Sequence, residues 1–205
     1  MKKFLFYLLC ALPMSAGAGV IYNTPRPMAF DSDFAARHRF YIGGTYNLSW
    51  WQNYADDTNF IRGKTEYGFD GIVGARITNN FRLEADYMYT KAKYDAFAIK
   101  TNTVFFNAIL DARINELYSV FYHQHIVPYV GVGAGITWYD DDAVKVNNDM
   151  NVSVAALAGI ALELGEYFAI DIGYRYVYMF KPGIDIMPKL NPAAHQVRAG
   201  LRINF

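Results

Sequence analysis

The last eleven residues, His195 to Phe205, alternate between two kinds of side chain. Val197, Ala199, Leu201, Ile203 and Phe205 are apolar, while Gln196, Arg198, Arg202 and Asn204 between them are polar. A period of two marks a β-strand with one apolar and one polar face. The same alternation divides the chain from Arg39 onward into eight segments, at 39–51, 66–77, 81–91, 101–113, 127–139, 151–163, 167–179 and 195–205. Each is about as long as a tilted strand must be to cross the hydrocarbon of a bilayer. The connections mostly alternate between short (Thr78 to Asn80, Leu164 to Glu166) and long and polar (52–65, 92–100, 140–150, 180–194). Short turns on the periplasmic side and long loops outside are the habit of outer-membrane barrels, and an even strand count returns both ends to the periplasm. Ile114 to Ile126 is long for such a turn and contains Leu117 to Tyr122, able to extend either neighbour; it is read as a turn with longer strand ends.

The alternation assigns faces. Phe81, Leu83, Ala85, Tyr87 and Tyr89 turn to lipid, with Arg82, Glu84, Asp86 and Met88 inside. Phe168, Ile170, Ile172, Tyr174, Tyr176 and Tyr178 face out against Asp171, Gly173 and Arg175, and Val130, Val132, Ala134 and Ile136 face out against Gly131, Gly133 and Gly135. The inward set then holds Arg76, Arg82, Arg113, Arg175, Arg198 and Arg202 against Asp70, Glu84, Asp86, Asp111, Glu163 and Asp171. A charge on the lipid face costs about 2–4 kcal/mol near midplane, so charges belong inside, where each must be paired or wet. Side chains nearly fill a closed barrel of eight strands. The expected fold is therefore an all-β, eight-stranded antiparallel closed transmembrane barrel with a lumenal charge network and small water pockets instead of an open pore. The lumenal glycines are expected to make room for long arginines. Soluble barrels with apolar interiors have the opposite arrangement of faces.

Composition narrows the class. The chain has 205 residues with 17 Tyr, 15 Phe and 16 Gly, and formal net charge zero gives no electrostatic case for nucleic acid. Lys2 and Lys3, the apolar run Phe4 to Leu12 and the small residues Ala16-Gly17-Ala18 read as a signal peptide cleaved after Ala18. The apolar run is too short to span a bilayer, and no later run of about 18 apolar residues offers a transmembrane helix. Cys10, the one cysteine, lies within the signal, so the mature chain is expected to have no disulfide, cysteine nucleophile or cysteine metal site. Residues 1–18 are thus read as signal, 19–38, with Pro25 and Pro27, as an irregular periplasmic lead-in, and 39–205 as the barrel.

The terminal run Arg198-x-Gly200-x-x-Ile203-x-Phe205 resembles the β-signal by which bacterial insertion machinery recognises outer-membrane barrels. Thr103 to Ala108 with Asp111, Pro128 to Gly135, Asp171 to Tyr176, and His195 to Phe205 together resemble the small outer-membrane β-barrel family, which includes the barrel domain of outer membrane protein A and the opacity-type surface proteins. That resemblance implies a common barrel with variable loops that carry adhesion, immune contact or phage reception. Because the chain ends at its last strand, no peptidoglycan-binding domain is expected. The implied location is the bacterial outer membrane after export, and the implied partners are membrane lipid and lipopolysaccharide, the insertion machinery, and a host or phage ligand at the outer loops.

Sites of other kinds are weaker. A lipid A-modifying enzyme would need Ser49 and His195 together, but parity turns Ser49 inward and His195 outward. His123-x-His125 lacks a third metal ligand, and Asp140, Asp141, Asp142 and Asp149 lack the calcium-loop pattern. No catalytic, metal or cofactor site is assigned. Trp50, Trp51 and Trp138 are read as part of an interfacial girdle. Tyr54, Phe60, Tyr94, Phe97, Met179, Phe180, Ile184 and Met187 are read as apolar surface in the outer loops. The leading functional reading is a non-enzymatic surface protein serving envelope integrity or loop-mediated contact. The alternative is a narrow conduit for apolar solutes, like outer membrane protein W. Inward Thr45, Asn47, Ser49, Thr137 and Ser153 argue against it by making the upper lumen polar.

Overall fold

In the computed structural model, the described residues are 39–55, 60–94, 98–112, 124–140, 150–165, 167–180 and 191–205. The segments read as signal and lead-in lie outside them, as do Arg113, His123, Asp141, Asp142, Asp149, Phe97, Ile184 and Met187. The strands are β1 (Phe40–Trp51), β2 (Tyr54–Ala55), β3 (Phe60–Ile61), β4 (Thr65–Arg76), β5 (Phe81–Lys93), β6 (Ala98–Asp111), β7 (Gln124–Asp140), β8 (Met150–Leu164), β9 (Phe168–Met179) and β10 (Ala193–Asn204). Eight of them close an antiparallel barrel in the order β1-β10-β9-β8-β7-β6-β5-β4, and β2 pairs with β3 in a small separate ladder. Full closure joins the first barrel strand to the last, so the described wall has no open edge strand.

Closure joins the two ends of the described chain. β1 and β10 pair from Tyr41–Asn204 to Trp51–Ala194, and the Phe40 and Phe205 backbones exchange hydrogen bonds of 3.1 and 2.9 Å. Both therefore lie at the end of the barrel that carries the tight turns. One of those turns runs through Thr78, whose carbonyl and hydroxyl accept from Phe81 N–H. The other turns on Gly165, whose φ of 73° suits glycine. β7 begins at Gln124, and Gln124 to Pro128 pair with Leu164 to Ile160 of β8 below the end of β6. The long turn expected around 114–126 thus ends in an extended strand.

The outer wall is apolar: Phe106 is 70% exposed, and Val132 and Leu201 are 65% exposed. Continued round the barrel, exposure on this scale is stable only against lipid. Tyr46 stacks on Tyr67 with ring centroids 5.7 Å apart, and Phe69 lies 5.3 Å from Tyr89. Towards the opposite end, the β4–β5 ladder runs to Gly68–Thr90 and resumes at a Gly63–Tyr94 bridge. The Gly63 side carries one residue more between those rungs, a bulge at the rim.

Candidate functional site

The lumen is filled in layers, beginning at the turn end. Arg76 donates to Asn204 Oδ1 at 3.0 Å and pairs with Glu163 at 3.2 Å. Arg82 pairs through Nε with Asp111 at 3.0 Å and through Nη1 with Glu84. Tyr41 joins these groups, its hydroxyl donating to Glu84 Oε1 at 2.8 Å and accepting from Arg82 Nη1 at 3.3 Å. The guanidiniums of Arg76, Arg82 and Arg202 lie 5.4, 5.8 and 5.0 Å from its ring centroid. The ring face attracts cations, so one tyrosine gathers three arginines. It fits because its cross-strand partner is Gly74, where a Cβ would collide with the ring.

The next layer is the centre of the charge network. Arg175 reaches Asp86 Oδ2 at 2.7 Å and Asp70 Oδ1 at 3.1 Å, while Arg198 reaches Asp86 Oδ2 at 3.2 Å. Arg198 Nε lies 3.0 Å from Asp70 Oδ2, near enough for charge attraction but turned away from a hydrogen bond. Two guanidiniums therefore share two carboxylates, all deeply buried. Thr45 and Asn47 complete Asp70 with donations of 2.6 and 3.0 Å. Burying four ionic groups is tolerable only because each has several charged or polar partners. A cavity of about 20 Å³ remains beside Arg82, Glu84, Asp171, Arg198 and Arg202, enough for one water. Arg202 and Asp171, 3.6 Å apart, border it as an ion pair without a direct hydrogen bond.

Above the charges comes a neutral polar belt. Gln196 accepts from Arg175 Nε at 2.6 Å and donates to Ser49 at 2.9 Å. Thr137 sits 2.8 Å from Thr103 and 2.6 Å from Ser153, hydroxyl to hydroxyl. Met88 bridges to the top layer, its sulfur taking an Arg175 N–H at 2.9 Å while the side chain packs into an apolar cluster. That cluster contains Trp51, Ala92, Tyr94, Ile99, Leu157, Val177, Met179 and Ala194.

This cap corrects several sequence readings. The upper lumen does hold Asn47, Ser49, Thr137 and Ser153, but it is crowned by apolar side chains. Trp51 is buried inside the cap, 4% exposed, while Trp50 faces out at 40%; adjacent strand residues cannot share a face. Tyr94 and Met179, read as loop surface, are 3% and 0% exposed and belong to the cap, whereas Phe180 is exposed. The inward glycines of β7 do not make room for arginines. Side chains of β6 back them instead: Ile109 at Gly131, the Asn107 amide at Gly133 and Phe105 at Gly135.

Among the sequence candidates, Arg76, Arg82, Glu84, Asp86, Asp111, Asp171, Arg175, Arg198 and Arg202 are brought together in the lumen, with Asp70 and Glu163. The terminal motif divides: Arg198 enters the charge network, Gly200 lies against Gly44 and Thr45, and Ile203 and Phe205 face outward. Ser49 is fully buried in the lumen, while His195 on the outer wall contacts Tyr174 and sits 3.0 Å from Gln52 Nε2. The two are not neighbours in any reactive sense. The described residues contain no group of three or more His, Cys, Asp or Glu side chains able to hold a metal. Sequence reasoning missed Tyr41 and Tyr129, although strand parity through Thr45 and Gly131 already turned both inward. Tyr129 lies under Arg82, its ring 5.0 Å away.

The sequence model of the outer membrane protein β-barrel domain matches residues 4–205. The chain belongs to that family. Membership places the barrel in the bacterial outer membrane and makes it a surface protein of the envelope. Among solved structures, it is similar to Neisserial surface protein A from Neisseria, at 19% identity and a TM-score of 0.61, over 81% of this chain and 97% of that one. It is also similar to outer membrane protein OprG of Pseudomonas aeruginosa, at 11% identity and a TM-score of 0.53, over 82% of this chain and 96% of that one. These likenesses concern the fold. No curated protein sequence matches the chain.

Proposed function

We propose that this protein is a non-conducting, non-enzymatic surface barrel whose wall and filled lumen hold variable outer loops at the cell surface. The observation that carries this reading is occlusion at two levels, the Arg175–Arg198–Asp70–Asp86 cluster and the apolar cap above it. Loops on so rigid a barrel suit adhesion, phage reception or immune contact, and the wall suits a contribution to envelope integrity. Single-channel recording of refolded protein in planar bilayers tests the closed lumen: silence is expected, and steady conductance contradicts it.

Two processing steps belong to the same proposal. Residues 1–18 direct export, and Arg198, Gly200, Ile203 and Phe205 serve as the insertion signal. Deleting Phe205 leaves every lumenal contact in place, because its side chain faces outward and is 58% exposed. Periplasmic accumulation is expected, and wild-type outer-membrane levels contradict the signal role.

The apolar cap favours a second reading, a conduit for small apolar solutes. Such a solute entering from the outer end would meet Trp51, Ile99 and Met179 first. The charge network blocks its way down, so it would need to leave through the wall. Uptake of an apolar solute into protein-containing vesicles, with ion conductance still silent, would favour this reading.

A further inference from the structure

The outer wall carries a cluster of lysines. Among the described residues, Arg76, Arg82, Arg175, Arg198 and Arg202 are buried in the lumen and Arg39 and Arg62 are exposed, while all four lysines, Lys64, Lys91, Lys93 and Lys100, are exposed at the loop end of β4, β5 and β6. Lys91 and Lys100 are direct cross-strand partners with both side chains outward. Two like charges facing each other across a ladder destabilise it. Lys93 pairs with Glu66 at 2.6 Å, and Lys100 stands opposite Asp140 in the β6–β7 ladder. Lys64 is tied alongside through its backbone N–H to the Lys93 carbonyl at 2.8 Å.

The height of this patch identifies what it meets. From the Phe81–Leu110 rung near the turns, the outward face of β5–β6 rises through Leu83 and Phe106 to Tyr87 and Tyr89, then to Lys91–Lys100. A strand tilted by about 45° climbs roughly 2.5 Å per residue along the membrane normal. The ten steps from Phe81 to Lys91 therefore span about 25 Å, the height of the apolar band of such barrels. The tyrosines then lie at the aromatic girdle and the lysines just above it, at the level of lipid headgroups. Tyr87 donates to Asn102 at 2.7 Å directly below the pair, marking the change from hydrocarbon to polar surroundings.

We propose that Lys91, Lys93 and Lys100 form a binding site for the phosphate groups of the outer-leaflet glycolipid, lipid A. Its acyl chains lie along the Phe106 and Tyr87 wall below. The inference rests on the outer-membrane reading with the long connections outside. Lysine suits the task as a flexible point charge that can rise to a phosphate while its stem stays in apolar surroundings. A phosphate between them also offsets the repulsion between Lys91 and Lys100 across the β5–β6 ladder.

Full-length protein refolded in detergent should be titrated with bisphosphorylated lipid A, monophosphorylated lipid A and phosphatidylglycerol. Tightest binding of the bisphosphorylated form is expected, weakening with added salt. K91Q/K100Q should weaken it by about fivefold for each lysine removed, while K91R/K100R should retain it. Equal affinity for phosphatidylglycerol would assign the patch to anionic lipid in general and overturn the proposal. Unchanged binding in K91Q/K100Q would also overturn it. If that variant fails to fold, as read by its heat-dependent gel mobility, K100Q alone carries the same test. Labelling of Ala98→Cys by a membrane-impermeant maleimide on intact cells reads the orientation separately. A failed lipid site is thereby distinguished from an inverted barrel.

Discussion

The two ends of the lumen meet the same requirement in opposite ways. Towards the turns, the interior is filled by arginines, carboxylates and two tyrosine rings; towards the loops, it is filled by Trp51, Ile99, Met179 and their neighbours. Each half blocks the lumen, but the failures of the two halves differ. Truncating one partner in the charged half strands a buried charge. Truncating a side chain in the apolar half leaves a cavity that neighbouring side chains can partly fill. The charged half is therefore the more brittle plug and the apolar half the more forgiving one.

The largest expected effect tests the charged half. Arg175→Ala removes the partner shared by Asp70 and Asp86 and should lower stability by about 3–5 kcal/mol in urea unfolding from lipid vesicles. A loss below about 1 kcal/mol would mean that water compensates the carboxylates and that the half is not brittle. Met179→Ala tests the other half. Fully buried in the cap, it should cost about 2 kcal/mol, the low end for such a truncation because the rim can relax. It should leave planar bilayers silent, since the lower plug is untouched; steady conductance would show that the cap alone closes the barrel.

The polar belt between the halves should respond less. Thr137→Val cuts both hydroxyl contacts, to Thr103 and Ser153, and should cost about 1 kcal/mol by the same unfolding measurement. The smallest effect is expected outside the lumen. Glu66→Gln breaks the ion pair with Lys93, whose side chain is 46% exposed, and should change stability by no more than about 0.5 kcal/mol. An effect as large as that of Met179→Ala would make this pair a structural clamp across the β4–β5 bulge.

Much of this design was legible in strand periodicity. Alternation from Arg39 to Phe205 determined the strands, the lipid-facing stripe and the inward position of the charges, because a two-residue repeat admits only two faces and lipid refuses charge on one of them. Tyr41 was equally accessible, since it shares the parity of Thr45. Trp51 and Met179 were misread where strand met loop, because parity was not carried through the final rung. Tertiary structure alone decided the pairings. The stagger around a closed barrel brings Arg175 on β9 to Asp86 on β5 and Asp70 on β4, while Glu84 takes Arg82 from its own strand. Alternation assigns a residue to a face but contains no information about that stagger. Which carboxylate meets which guanidinium across the lumen is therefore set only when β1 closes on β10.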